Sequence, residues 1–410
     1  VAFADDDALL KFPQKSAGEQ AKTIWYYRAK EPQIAKEMLM SREIGIGLAG
    51  YGAIGRVHAL CWRMLPLVYP DLPLMPRIVA VSAASERSRE RAQRELGPVE
   101  LCQDGNQLVA LDSVELIDCC TPTALHADLV LATLNAKKAL FCEKPLAATL
   151  DQAQAIADLA QAQHLDAGLN FHFRFIPALQ EAKRRIDAGL LGEVQSFHLR
   201  YYRASNLRTD RGITWRFTGA GSGVLVDLGS HLIDLVEHLL GPIAKVSAHL
   251  HTAIPERTGP DGQPAAVESD DVAWLSLALA NGARGSLEAS KVVPGAADDL
   301  RIEAYGSDGS LIFDTREPSM LYLAEGRHSP IGGQTIATFS RTLPNASIPG
   351  AETPTGWLQW HMASFAAYLH ALAGQQTPQP GIAAGLAVDR VIATAQRSAQ
   401  QQGILLPVGE

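Results

Sequence analysis

A chain of 410 residues, 47% hydrophobic and 20% charged, has the composition of a globular protein and exceeds the roughly 250 to 300 residues at which single cores stop growing. Its formal net charge of -8 repels phosphate backbones, and no basic stripe with interleaved aromatics offsets that, which argues against nucleic acid as a partner. No uninterrupted apolar run approaches the roughly 20 residues of a membrane span, so two domains with no membrane segment are expected.

The first 39 residues have neither the basic start nor the apolar centre of a secretory signal. Charges and prolines break the segment up, and a strong strand pattern begins only at Glu43, just after Met40-Ser41-Arg42. The expectation is that Met40 is the native start, that Val1 reflects an upstream start codon, and that residues 1–39 are a poorly packed leader. A genuine N-terminal arm is the alternative.

Over residues 40–168 strand-like and helix-like stretches alternate, the pattern of a parallel sheet with helical crossovers. Strands are expected over 44–49, 78–82, 116–120, 139–142 and 167–169, and helices over 86–96, 126–135 and 150–163. Thr149 followed by Gln152 resembles a capping box for the last helix. The Pro-rich stretch 65–76 is expected to be a long connection. Beyond residue 170 the texture changes. Strands at 196–202, 272–280, 284–292, 301–305 and 310–313, with turns at Asn281-Gly282 and Asp308-Gly309, suggest a largely antiparallel sheet over 169–410. Residues 329–354, rich in Gly and Pro, read as a long surface loop. The five cysteines (Cys61, Cys102, Cys119, Cys120, Cys142) are odd in number, lack CxxC spacing and lie mostly in apolar runs, which fits buried, reduced thiols in the cytoplasm.

Three motifs carry chemistry. Gly50-Tyr51-Gly52-Ala53-Ile54-Gly55 follows a strand and opens a helix, the setting in which glycines turn tightly, approach a pyrophosphate and pack helix on sheet. The run Val81-Ser82-Ala83-Ala84-Ser85-Glu86-Arg87 lacks the acid that usually holds the adenosine ribose hydroxyls of NAD. Without that carboxylate, and with Ser85 and Arg87 nearby, a 2′-phosphate is accommodated, so NADP is the expected cofactor, with NAD as the alternative. An exposed helix face solvating Arg87 and Arg89 is the bland reading of the same residues. Cys142-Glu143-Lys144-Pro145 ends an apolar strand at the edge where doubly wound sheets bind ligands, placing Lys144 to stabilise an alkoxide or polarise a carbonyl. Finally, Asp227 and His231 follow a glycine-rich run and, four apart on a helix, share one face: a carboxylate beside an imidazole that takes a proton. No metal-ligand spacing stands out, and no metal is expected.

Together these residues resemble the glucose-fructose oxidoreductase, inositol dehydrogenase and MocA (Gfo/Idh/MocA) family. The resemblance runs from Ile44 to about residue 400 and includes Thr121-Pro122-Thr123-Ala124-Leu125-His126, Glu143-Lys144-Pro145, Asn170 before Phe171-His172-Phe173-Arg174-Phe175, and Asp227 with His231. It implies an α/β fold: an N-terminal Rossmann doubly wound parallel sheet, then a C-terminal α/β domain with a large, mainly antiparallel open sheet whose exposed face supports a homodimer or homotetramer. It implies Lys144, Asp227 and His231 as the catalytic set. Gly50, Tyr51, Gly52, Ala53, Ile54, Ser85, Arg87, Thr121, Pro122, His126, Glu143 and Lys144 are expected at the cofactor. Asn170, Arg174 and Trp215 join the catalytic set at the substrate. The stretches Ile213-Thr214-Trp215-Arg216 and Glu288-Ala289-Ser290-Lys291 are similar to those of inositol and anhydrosugar dehydrogenases, which favours a sugar or polyol. The expected reaction is hydride transfer between a secondary alcohol and nicotinamide. A non-catalytic dinucleotide-binding sensor and a glycosidase-like enzyme using bound NAD for transient oxidation are the rival readings.

Overall fold

The computed structural model describes residues 42–409 except 211, 327–330, 340–345, 349 and 351; the leader expected over residues 1–39 lies outside the described residues. Glu43–Glu410 forms one compact unit. Its first part is β1 (Arg42–Ala49), α1 (Ala53–Val68), β2 (Leu74–Ser82), α2 (Glu86–Leu96), β3 (Glu100–Cys102), α3 (Gly105–Ala110), β4 (Leu116–Cys119), α4 (His126–Asn135), β5 (Ala139–Cys142), α5 (Leu150–Gln163) and β6 (Gly168–Leu169).

The six strands make one sheet in the order β3-β2-β1-β4-β5-β6. β4 is buried along its whole length and β1 from Ile44 onward, which is why these strands read as continuous apolar runs: helices cover both faces of a parallel sheet. Strand order reverses between β1 and β4, so the loops leaving the carboxyl ends of β1, β4 and β5 open on one edge at a topological switch point. The site is built there.

Several sequence expectations shift. The connection at 65–76 is short, because α1 continues through Leu65 and Pro66 to Val68 and β2 already begins at Leu74. Pro66 is tolerated near the end of the helix, and Pro76 lies ahead of the stretch that pairs with β3, whose register starts at Ala80. The capping box is half formed. Thr149 Oγ1 accepts from Gln152 N at 3.4 Å, but Gln152 Oε1 is buried without a partner.

The second part comprises α6 (Pro177–Asp187), β7 (Val194–Tyr202), a π-helical turn (Leu225–Gly229) running into α7 (Ser230–Leu240), β8 (Ile243–His251), β9 (Glu256–Thr258), β10 (Pro264–Ala266), β11 (Val272–Leu279), β12 (Arg284–Ser290), β13 (Asp299–Gly306), β14 (Gly309–Asp314), β15 (Met320–Glu325), β16 (Gln334–Ala337), α8 (Trp357–Ala373), α9 (Ile382–Gln400) and β17 (Leu406–Pro407). Apart from the β9–β10 pair, its strands form a nine-stranded sheet ordered β16-β15-β14-β13-β7-β12-β11-β8-β17. It is antiparallel except where β12 runs parallel to β7. Along β7, Phe197, Leu199 and Tyr201 point into the core while His198 and Arg200 point outward. Helices α7 and α9 cover the inner face, contributing Leu232, Val236, Val388 and Val391 to the same core as Phe197 and Val246. β16 falls inside the stretch read from sequence as loop, since four residues are too few to show a period. The chain then returns to the first sheet, where Met362, Phe365 and Leu369 of α8 pack with Ile44, Trp62 and Leu65.

Candidate active site

At the end of β1 the chain turns at Gly50, whose φ is +93° and where a Cβ would sit 2.7 Å from the Cys120 carbonyl oxygen. A Cβ on Gly55 would lie 2.0 Å from the Gly50 oxygen. Both positions admit only glycine, and both press the start of α1 against the strand ends. Gly52 differs: a Cβ there would meet nothing within 4 Å, and it is the N-cap of α1 with no side chain bonding the first turn. The free N–H groups of Ala53 and Ile54 and the open space over Gly52 fit a dinucleotide pyrophosphate. The Tyr51 side chain turns away, donating to Glu95 Oε2 at 3.0 Å, so its part in the cradle is backbone only.

The catalytic candidates meet at the same edge. Lys144, just past β5, donates from Nζ to Asp227 Oδ1 at 2.9 Å and to the Asp227 carbonyl at 2.8 Å. The other carboxylate oxygen, Oδ2, is held by Lys291. Burial alone would raise the Asp227 carboxyl, but the two ammonium groups overrule it and hold it well below the usual carboxylate range. Asp227 lies in the π-helical turn rather than on the α-helix assumed from the i,i+4 spacing, and Asp270 Oδ2 anchors that turn by accepting from Leu225 N at 2.8 Å. His231 is 5% exposed, packed between the rings of Phe173 at 4.6 Å and His172 at 5.1 Å. Among the described residues neither of its ring nitrogens has a hydrogen-bond partner, and Nδ1 is fully buried. Burial and the Lys144 charge push this imidazole well below its ordinary value, against the pull of Glu143 and Asp227. It is therefore neutral near pH 7, with a lone pair ready to accept a proton.

Sequence reasoning missed what lies beneath. His58 of α1 is fully buried between two carboxylates, its Nδ1 3.0 Å from Asp118 Oδ1 and its Nε2 3.0 Å from Glu143 Oε1. Burial alone would lower this imidazole, but Asp118 and Glu143 lift it to about 10. Burial likewise opposes the Glu143 charge, yet the His58 bond and charge bring that carboxyl down to about 2. Trp62 Nε1 donates to Asp118 Oδ2 at 2.7 Å, and Glu143 Oε2 accepts from the Lys144 backbone N–H at 3.2 Å. The pair thus ties α1 to the residue before Lys144. An acid in the apolar strand Leu116-Ile117-Asp118-Cys119 was the available signal, because a buried carboxylate needs a partner.

Other expected site residues take different places. Asn170, expected at a sugar hydroxyl, is fully buried and donates from Nδ2 to Glu143 Oε1 at 2.6 Å and His361 Nδ1 at 2.8 Å. Arg174 is committed to Asp234, with Nε 2.9 Å from Oδ2 and both side chains largely covered. Asn170 is therefore closed to a substrate, and Arg174 spends Nε and Nη2 on Asp234. His126 spans two loops, its Nδ1 2.9 Å from the Pro145 oxygen and its Nε2 3.0 Å from the Thr121 oxygen, so it shapes the loop at Thr121 and Pro122. Ser85 caps α2, accepting from Ser88 N at 3.2 Å. Arg89 folds back onto the Ala83 carbonyl at 2.6 Å, whereas Arg87 is exposed with no partner among the described residues. Trp215 is 41% exposed, with the Arg216 guanidinium 4.2 Å over its ring. All five cysteines are buried free thiols, as expected.

Residues 44–171 match the family model described as an oxidoreductase family with an NAD-binding Rossmann fold, and residues 179–312 match the GFO/IDH/MocA C-terminal domain. Levoglucosan dehydrogenase of Pseudarthrobacter phenanthrenivorans is 30% identical over 314 residues, covering 72% of this chain and 80% of that one. A scyllo-inositol 2-dehydrogenase (NAD(+)) of Bacillus subtilis is 28% identical over 281 residues, 67% of this chain and 75% of the relative. Among solved structures, levoglucosan dehydrogenase in complex with NADH and levoglucosan superposes with a TM-score of 0.84 at 27% identity, over 90% of this chain and 100% of that one. Fold and relatives define a nicotinamide-dependent dehydrogenase acting on CH–OH groups. The chain belongs to the Gfo/Idh/MocA family of oxidoreductases.

Proposed function

We propose that this protein transfers a hydride between a nicotinamide cofactor and a secondary alcohol or ketone carbon of a sugar, anhydrosugar or polyol. The observation that carries the reading is the Lys144–Asp227 pair beside an unpartnered, neutral His231, at the edge that also holds the glycine cradle. The names of the relatives, levoglucosan and scyllo-inositol dehydrogenases, support the substrate class. A nicotinamide held in this cradle would supply the acceptor for the carbinol hydrogen and its electron pair. His231 accepts the hydroxyl proton as that hydrogen leaves. Lys144, its charge only partly spent on Asp227, stabilises the oxygen as negative charge develops, and Asp227 fixes the ammonium in place. Gly50, Gly52, Ala53 and Ile54 hold the pyrophosphate through backbone, Thr121, Pro122 and Glu143 line the adjoining loops, and Trp215 offers an exposed ring for a sugar face.

Ala83 in place of an acid, with Arg87 exposed and without a partner among the described residues, favours NADP over NAD. A panel of polyols, sugars and anhydrosugars with each cofactor, followed at the absorbance of the reduced nicotinamide, tests both statements. Turnover with at least one polyol and a higher kcat/KM for NADP is expected. No turnover across the panel overturns the reaction, and a tenfold preference for NAD, about 1.4 kcal/mol, overturns the cofactor assignment alone.

A further inference from the structure

Lys291 has no role in the reaction as described, yet it stands in the middle of the site. It follows the last residue of β12 and is 6% exposed. Its backbone is fixed from both sides, its N–H donating to the Asp271 carbonyl at 3.0 Å and its carbonyl accepting from Asn206 N at 3.0 Å. Nζ meets Asp227 Oδ2, the oxygen that Lys144 leaves free. An ammonium carries three N–H donors. One is spent on Asp227, and among the described residues Nζ has no other hydrogen-bond partner.

A covered ammonium with idle donors is costly unless a ligand oxygen or water takes them up. The Lys144 and Lys291 side chains are 11% and 8% exposed, whereas the Asp227 side chain they share is 36% exposed. The two ammonium groups therefore flank one open carboxylate, one at each oxygen. Two ammonium groups flanking one carboxylate present N–H donors to an incoming ligand, which suits electron-rich oxygens.

We propose that Lys291 is a substrate-binding residue that donates to the oxygen on a carbon next to the reacting carbinol, while Lys144 serves the reacting oxygen. The site then selects substrates with two neighbouring oxygen substituents, as a vicinal diol presents. This rests on the hydride-transfer reading above and goes beyond it in naming what the enzyme recognises.

The test is a cycle between protein and substrate. kcat/KM is measured for wild type and K291M on the best polyol of the panel and on its two deoxy analogues, each lacking one hydroxyl next to the reacting carbon. For wild type, one analogue falls by about 10- to 100-fold, the usual worth of a bond to a charged donor. K291M falls by a similar factor on the parent polyol and discriminates less than about threefold between parent and that analogue. Fluorescence titration of the cofactor, unchanged from wild type, shows that the variant is folded; K291Q replaces it in the same cycle if K291M is not. Discrimination undiminished in the variant, or a parent kcat/KM equal to wild type, overturns the assignment of Lys291 alone. A wild type that turns over no polyol overturns the hydride-transfer reading and the Lys291 role with it.

Discussion

Replacing His58 with Gln leaves the Asp118 and Glu143 carboxylates facing each other in the core with no cation between them. Breaking a buried pair of this kind costs about 3 to 5 kcal/mol, and the pKa values give a similar figure. Between an ordinary imidazole at 6.5 and about 10 in the fold, at 1.36 kcal/mol per pH unit, lies about 5 kcal/mol. Because the folded value is raised, this stabilisation is complete below pH 6.5 and drains away as pH rises towards 10. The Glu143 carboxyl, lowered from 4.5 to about 2, describes the same interaction from the acid side: present above 4.5, lost as pH falls through 2. Thermal unfolding at pH 6 is expected to show H58Q melting roughly 5 °C below wild type, since about 4 kcal/mol is spread over a large unfolding entropy. The wild type itself loses stability from pH 6.5 to 9, and a triple variant, His58→Gln with Asp118→Asn and Glu143→Gln, lacks that slope. A wild type whose unfolding free energy runs parallel to the triple variant's across this range refutes the buried charge.

Three further outcomes follow from single contacts. Gly55→Ala puts a methyl 2.0 Å from the Gly50 oxygen, so the variant should bind reduced cofactor at least tenfold more weakly by fluorescence titration, and wild-type affinity would show that the turn yields. His231→Ala should lower kcat by roughly two to four orders of magnitude with cofactor affinity near wild type; an unchanged kcat moves the proton to another acceptor. Arg174→Met strands the Asp234 carboxylate in α7 and should cost about 3 kcal/mol in denaturant unfolding while leaving KM for the polyol near wild type. A tenfold rise in KM at unchanged stability would instead return Arg174 to the substrate.

The first sheet was legible because both faces of its strands are covered, so β1 and β4 stand out as apolar runs. Helix α5 carries a readable cap, Thr149, which accepts a bond from the residue three ahead, whereas Ser85, placed at the cofactor from sequence, caps α2 in the same way. By contrast, β3 has three residues, and α8 is buried on most of its circumference, which erases the amphipathic period. The site divides in the same way. Lys144, Asp227 and His231 sit in local motifs whose glycines and strand ends announce them. Lys291 meets Asp227 across 64 residues, and His58 meets Asp118 and Glu143 across 60 and 85. Such pairings exist only once the strands are assembled, and spacing along the chain does not encode them. The same limit explains Asn170 and Arg174, whose place in a resembling motif suggested a sugar but whose partners, Glu143, His361 and Asp234, are supplied by the fold.

The proposed hydride transfer depends above all on Lys144 as the group that stabilises the reacting oxygen. A single-turnover measurement with excess enzyme–cofactor complex and a polyol deuterated at the reacting carbon tests this most directly. For wild type, deuterium should appear in the reduced nicotinamide, formed more slowly than from the protiated substrate. For Lys144→Met the same step should slow by roughly two to four orders of magnitude while the cofactor dissociation constant moves less than about threefold. Reduced cofactor without deuterium, or a Lys144→Met variant turning over at the wild-type rate, would contradict it.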